Sequence, residues 1–147
     1  MNNSLREQIL QAVMAALAPV AAAQNATLLR SPPTGVPREQ SPALLVFPET
    51  DSIVKRPNDR VERHLVIRLA ALARGADGDV PEVIADCLLV AAHAALFANA
   101  NFGGRALGLQ ELECEWEVED ADATVAAIPA RYQITYRTLA SDLSQQG

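Results

Sequence analysis

The chain has 147 residues, half of them hydrophobic and a fifth charged, with a net charge of −6. That is enough for one domain that buries roughly 70% of its extended surface, and too apolar a balance for a disordered chain. The acidic excess argues against a nucleic-acid-binding surface.

The opening residues MNNSLREQIL lack a basic stretch leading into an apolar core, so a signal peptide is not expected. Ser4 followed by Glu7 forms a capping-box pattern, and Leu5, Ile9, Val13 and Leu17 recur behind it at helical spacing. Pro19 is expected to end or kink this first helix. The short apolar piece ATLLRS predicts a strand. Residues 31–42, SPPTGVPREQSP, carry four prolines and a glycine, which predicts a long exposed loop. A loop of that length in a compact domain is usually functional or disordered.

ALLVFPET then reads as a strand, DSIVKRPND as a turn or hairpin tip, and RVERHLVIRLAAL as a longer strand. In the last, Val61, Leu65, Ile67 and Leu69 alternate with Glu62, His64 and Arg68. ARGADGD breaks the pattern, and Asp79 with Glu82 suggests a second capping box, with Pro81 tolerated in the first turn. The following helix is expected to run to about Ala98, with Val80, Val83, Ile84, Cys87, Leu88, Ala91 and Ala95 on its packed face. Its other side is also apolar, so cover on more than one side is expected. The most apolar run in this helix, CLLVAAHAALFA at 87–98, is short of the roughly twenty residues that cross a bilayer, so no membrane partner is expected.

ANFGGRALG turns the chain into ELECEWEVED, where Glu111, Glu113, Glu115, Glu117 and Glu119 alternate with Leu112, Cys114, Trp116 and Val118. On one strand face such charges lie roughly 6.7 Å apart. Each neighbouring pair then costs about 0.6 kcal/mol in bulk water, and four pairs about 2 kcal/mol. A hairpin partner, RYQITYRTL, offers compensation. With the turn centred near Thr124, Glu117 faces Arg131, Glu115 faces Gln133, Glu113 faces Thr135 and Glu111 faces Arg137. Trp116, Cys114 and Leu112 would then meet Tyr132, Ile134 and Tyr136 on the buried side. The plain reading of the glutamates is a solvated outer face; the functional one is a surface that repels a polyanion or meets a basic partner. Residues 140–147 read as a flexible tail.

The order of elements predicts an α+β fold, a mainly antiparallel sheet of four to five strands with two helices on one face, in a single domain over 1–147. Catalytic, metal and cofactor signatures are lacking. Gly103-Gly104 has neither the spacing nor the lysine of a P-loop. Cys87 and Cys114 form no metal-ligand spacing and are expected to be buried, reduced thiols. A Cys114–His64 pair is the one nucleophile arrangement the pattern allows, and a non-enzyme is the expectation.

From the amphipathic LREQILQAVMAAL through ALLVFPET, KRPNDR, RHLVIRLAAL, VPEVIADCLLVAAHAAL and NFGGRAL to the acidic strand and RYQITYRT, the layout resembles the tail terminator (tail completion, minor tail protein) family of long-tailed bacteriophages. The ending, aromatic–x–Ile–x–Tyr–Arg–Thr from Tyr132 to Thr138, carries the resemblance most specifically. It implies a structural virion protein, made in the cytoplasm of a bacterial host, that forms a homo-hexameric ring on the tail tube. Such a ring ends tube polymerisation, meets the head connector or neck protein, and in contractile tails contacts the sheath. DNA passes through without specific binding.

On that basis Glu111, Glu113, Glu115, Glu117 and Glu119 are candidates for an acidic bore or partner face, since an acidic wall repels phosphates. Lys55, Arg56 and Arg60, with the proline-rich loop, are candidates for assembly contacts. The alternatives are another neck or head–tail joining protein, the cap of a phage-derived contractile particle, or a small acidic cytoplasmic protein-binding module.

Overall fold

The structure is a computed structural model that describes residues 2–33, 40–75, 80–114, 117–118 (backbone only) and 125–147. Two helices, α1 (Leu5–Ala23) and α2 (Pro81–Ala98), lie on one face of a mixed sheet. The strands are β1 (Thr27–Arg30), β2 (Ala43–Lys55), β3 (Arg60–Arg74), β4 (Gly108–Cys114), β5 (Glu117–Val118), β6 (Val125–Leu139) and β7 (Asp142–Gln146). Their order is β1-β2-β3-β6-β4, with β5 and β7 also paired to β6. The fold is α+β, as expected, with a seven-stranded sheet in place of four or five strands.

α1 begins where the capping pattern places it. Ser4 Oγ accepts from the Glu7 N–H, while the Glu7 carboxylate turns away and takes a two-pronged ion pair from Arg30 on β1, at 2.5 and 2.6 Å. Leu5, Ile9, Leu10, Val13, Leu17 and Ala21 are buried. Pro19 does not end the helix, which runs to Ala23. Burial of Ala21 and packing of Val20 on the core hold the last turn beyond the proline, and the Gln24 N–H closes it on Val20 O.

β1 runs parallel to β2, from Thr27 opposite Ala43 to Arg30 opposite Val46. A parallel pair needs a connection long enough to return the chain to the start of the strand, which is the task of the proline-rich residues 31–42. Residues 34–39 of that loop lie outside the described residues. β2 is longer than the sequence predicts and takes in DSIVK, leaving Arg56–Asp59 as the turn. Pro48, opposite Ile67 of β3, is tolerated because β1 stops opposite Val46, so no described strand flanks β2 on its other side there. A register shift follows between Pro48 and Thr50.

β3 and β6 form the centre, paired without a break from Arg60–Leu139 to Arg74–Val125. Leu65, Ile67, Leu69, Ala71 and Ala73 of β3 share the helix side with Ala130, Tyr132, Ile134 and Tyr136 of β6, all buried in one core with both helices. The opposite side carries a smaller cluster of Ala43, Leu45 and Ala70, with Leu29, Phe47 and Leu72 packed on it. The closing residues, expected to be a flexible tail, carry β7 on the end of β6.

The N-cap of α2 is Val80, whose side chain makes no capping hydrogen bond. The proposed cap Asp79 lies outside the described residues. The buried stripe of α2 is Ala85, Leu88, Ala92 and Leu96, turned about the helix axis from the expected one. Val80, Val83 and Cys87 are exposed. In a helix apolar nearly all round, composition does not choose the packed side; the small residues Ala85 and Ala92 do, by allowing close approach to β3 and β6.

Candidate functional site

The acidic strand is the first candidate, and its geometry departs from simple alternation. Glu111 pairs with Tyr132 and Glu113 with Arg131, because the register shifts between them. Tyr132 and Arg131 are neighbours on β6 and point to opposite sides, so the bulge sends Glu111 to the helix side and Glu113 to the far side. The expected register is therefore corrected. Glu111 meets Tyr132 rather than Arg137, Glu113 meets Arg131 rather than Thr135, and Cys114 meets Ala130 rather than Ile134. Glu117 is paired with Ala127 rather than Arg131. Alternation fixes a strand's period but not its offset, and one bulge resets the offset. Glu115, Trp116 and Glu119 lie outside the described residues.

β4 ends the strand order of the sheet. Charged side chains on such an edge block pairing with a foreign strand, which gives the glutamates a structural use. On the far side, Arg131 lies directly opposite Arg68 on β3. Two anions offset that repulsion: Glu49, whose Oε1 lies 2.7 Å from Arg131 Nε, and Glu113, which also pairs with the Arg131 guanidinium. Arg68 stacks over Phe47 at 4.5 Å. Further along, Arg137 and Glu62 pair at 3.2 Å.

On the helix side, Glu111 enters a groove of about 230 Å³ between α2 and β4, lined by Asp86, Leu89, Val90, His93, Cys114 and Tyr132. His93 Nδ1 is 2.8 Å from the Tyr132 hydroxyl and its ring lies against Phe97. Burial, then the nearby Glu111 and Cys114, push the Tyr132 hydroxyl far above its ordinary value. Cys114 is exposed, not buried as expected, because β4 is an edge strand; so is Cys87. The groove wall, then Glu111 and Asp86, push the Cys114 thiol up. An activated nucleophile needs the reverse shift.

His64 sits opposite Thr135 on the far side of the sheet, while Cys114 shares the helix side with Ala130. The fold does not bring that pair together. Among the described residues no group of three or more His, Cys, Asp or Glu side chains is placed to hold a metal ion.

Lys55, Arg56 and Arg60 stand together and exposed at the β2–β3 hairpin tip, with Ile53 and Val54 exposed beside them. The hairpin is braced from within. Asp51 Oδ2 takes a 2.9 Å ion pair from Arg6 of α1 and a hydrogen bond from the Tyr136 hydroxyl of β6, joining three elements at one carboxylate. Burial, then the bond to Asp51, hold the Tyr136 hydroxyl protonated far above its ordinary value. Sequence reasoning missed both this junction and the groove, since each joins residues far apart in the chain. The apolar second side of α2 was the one signal for the groove.

By length and composition α2 would suffice to cross a membrane. Here Ala85, Leu88, Ala92 and Leu96 hold it in the core against the sheet.

The chain matches no family model and no curated protein by sequence. In structure it is similar to a chain of the virion of a native gene transfer agent particle, with a TM-score of 0.52 and 12% identity over 90% of both chains. At that identity the likeness is one of fold.

Proposed function

We propose that this protein is a structural component of a phage-like particle, and within that class a tail terminator: a ring that caps the tail tube, stops its growth and meets the head connector. The observation that carries the reading is the fold shared with a gene transfer agent virion chain over nine tenths of both chains. The order of elements that resembles the terminator family supports the narrower assignment, and so does the surface. A subunit of a closed assembly needs exposed apolar area on more than one side, and this chain has it at the α2 face and at the β2–β3 tip. Six-fold symmetry, contact with a sheath and passage of DNA through the bore belong to this proposal.

In it the far side of the acidic strand, the side Glu113 takes, faces the bore, where carboxylates disfavour phosphate binding, while Glu111 lies in the α2–β4 groove. The role is non-catalytic, in keeping with a Cys114 thiol held protonated and separated from His64.

The test is polymerisation of the particle's own tube protein with and without this chain, with tube lengths measured by electron microscopy. Short, uniformly capped tubes are expected. Tubes of unchanged length would reject the terminator reading and leave a neck protein or an acidic binding module, which separate by whether the chain binds a connector or a cationic protein.

A further inference from the structure

The α2 face and the hairpin tip match each other. Val83, Cys87, Val90, Ala94 and Phe97 follow each other along α2 at alternating steps of four and three, the spacing of a seam made for a partner. All are exposed, Val83 by 58%, Val90 by 63% and Phe97 by 41%. Beside them Asp86 and Glu111 line the groove, and neither has an ion-pair partner among the described residues. The tip offers the complement: Ile53 and Val54, exposed by 41% and 46%, followed by Lys55, Arg56 and Arg60, also without ion-pair partners among the described residues.

The two surfaces cannot meet within one chain. Lys55 is level with Glu62 of β3, whereas Glu111 is level with Tyr132 and so with Ile67. Five residues of strand separate the levels by about 17 Å, and three strand spacings from β2 to β4 add about 14 Å across the sheet.

We propose that the β2–β3 tip of one copy seats in the α2–β4 groove of the next, with Ile53 and Val54 on the apolar seam and Lys55 and Arg56 against Asp86 and Glu111. The occupant is a second copy of this chain, because both halves of the charge and apolar match are present on it. Two different patches in contact make a head-to-tail interface, the kind that closes into a ring when the rotation per subunit allows. This inference rests on the ring reading above and names its subunit contact.

The experiment has two parts. The native mass and electron-microscope images of the wild-type chain establish whether a ring exists. Val54→Cys, with Cys87 and Cys114 in place, is then oxidised mildly and run without reductant. A ladder of linked multimers is expected, and it should vanish when Cys87 and Cys114 are both replaced by serine.

In parallel, Lys55→Glu with Arg56→Glu should reduce the ring to monomers, as should Asp86→Lys with Glu111→Lys. The four changes together should restore the ring, with circular dichroism showing each variant folded. A wild-type ring whose Val54→Cys variant gives no ladder and which survives both reversals overturns this interface and leaves the ring standing. Linked dimers alone overturn it in favour of a two-fold contact. A wild-type chain that stays monomeric at every concentration, with a Val54→Cys variant that gives no ladder, overturns the interface and an intrinsic ring together.

Discussion

Glu111 and Glu113 stand two residues apart on one strand yet on opposite sides of the sheet, one paired with Tyr132 and the other with Arg131. A single bulge thus divides the acidic strand between a groove and an ion-pair belt, and the two glutamates should behave differently.

The Cys114 thiol reports the division. Its proton is held by burial and then by Glu111 and Asp86. In a Cys87→Ser background, Glu111→Gln should speed the reaction of Cys114 with a disulfide reagent at fixed pH, by lowering the thiol's pKa. Glu113→Gln should leave the rate unchanged. Equal rates in both variants would mean that both carboxylates face the same side.

The chain has two tyrosines, and both are buried. Each has its pKa raised in the folded state, by burial first and then by a carboxylate neighbour or bond. The sign follows directly. Their contribution to stability is complete below the unfolded value of about 10 and is lost as pH rises above it towards the folded values. Absorbance at 295 nm should show no tyrosinate until the fold is lost, so its rise should coincide with the loss of circular dichroism. Ionisation near pH 10 in a folded chain would contradict the burial of these rings.

The Asp51 junction should matter more than its single ion pair suggests. Asp51→Ala leaves the Tyr136 hydroxyl without its partner inside the protein and frees Arg6. A loss of about 2 kcal/mol is expected by urea unfolding, since an unmatched buried polar group costs about 1–3 kcal/mol. Tyr136→Phe should remove part of the same energy, and the double variant should lose less than the sum of the two. Additive losses would mean that the two side chains act independently.

α2 can be tested face by face. Leu88→Ala deletes a fully buried side chain and should cost about 2–5 kcal/mol. Val83→Ser, on the exposed seam, should change monomer stability by no more than about 0.5 kcal/mol. Large losses in both would show that the seam is covered within the subunit.

The sequence by itself determined whatever depends on local pattern. Ser4 starts α1 because one hydroxyl three residues upstream meets a free N–H. The inward set of β6, Ala130, Tyr132, Ile134 and Tyr136, follows from a period of two that burial enforces. The α+β class followed from the order of such elements.

Only the tertiary structure decided the offsets and the sides. The Glu111–Tyr132 register depends on a bulge that alternation does not encode. The packed side of α2 depends on where Ala85 and Ala92 let it approach the sheet. The groove and the Asp51 junction join residues from three elements each, and the tip and the groove lie apart on the fold. Local pattern carries a period; the phase of that period is fixed by contacts between segments distant in the chain, and the candidate surfaces of this protein depend on that phase.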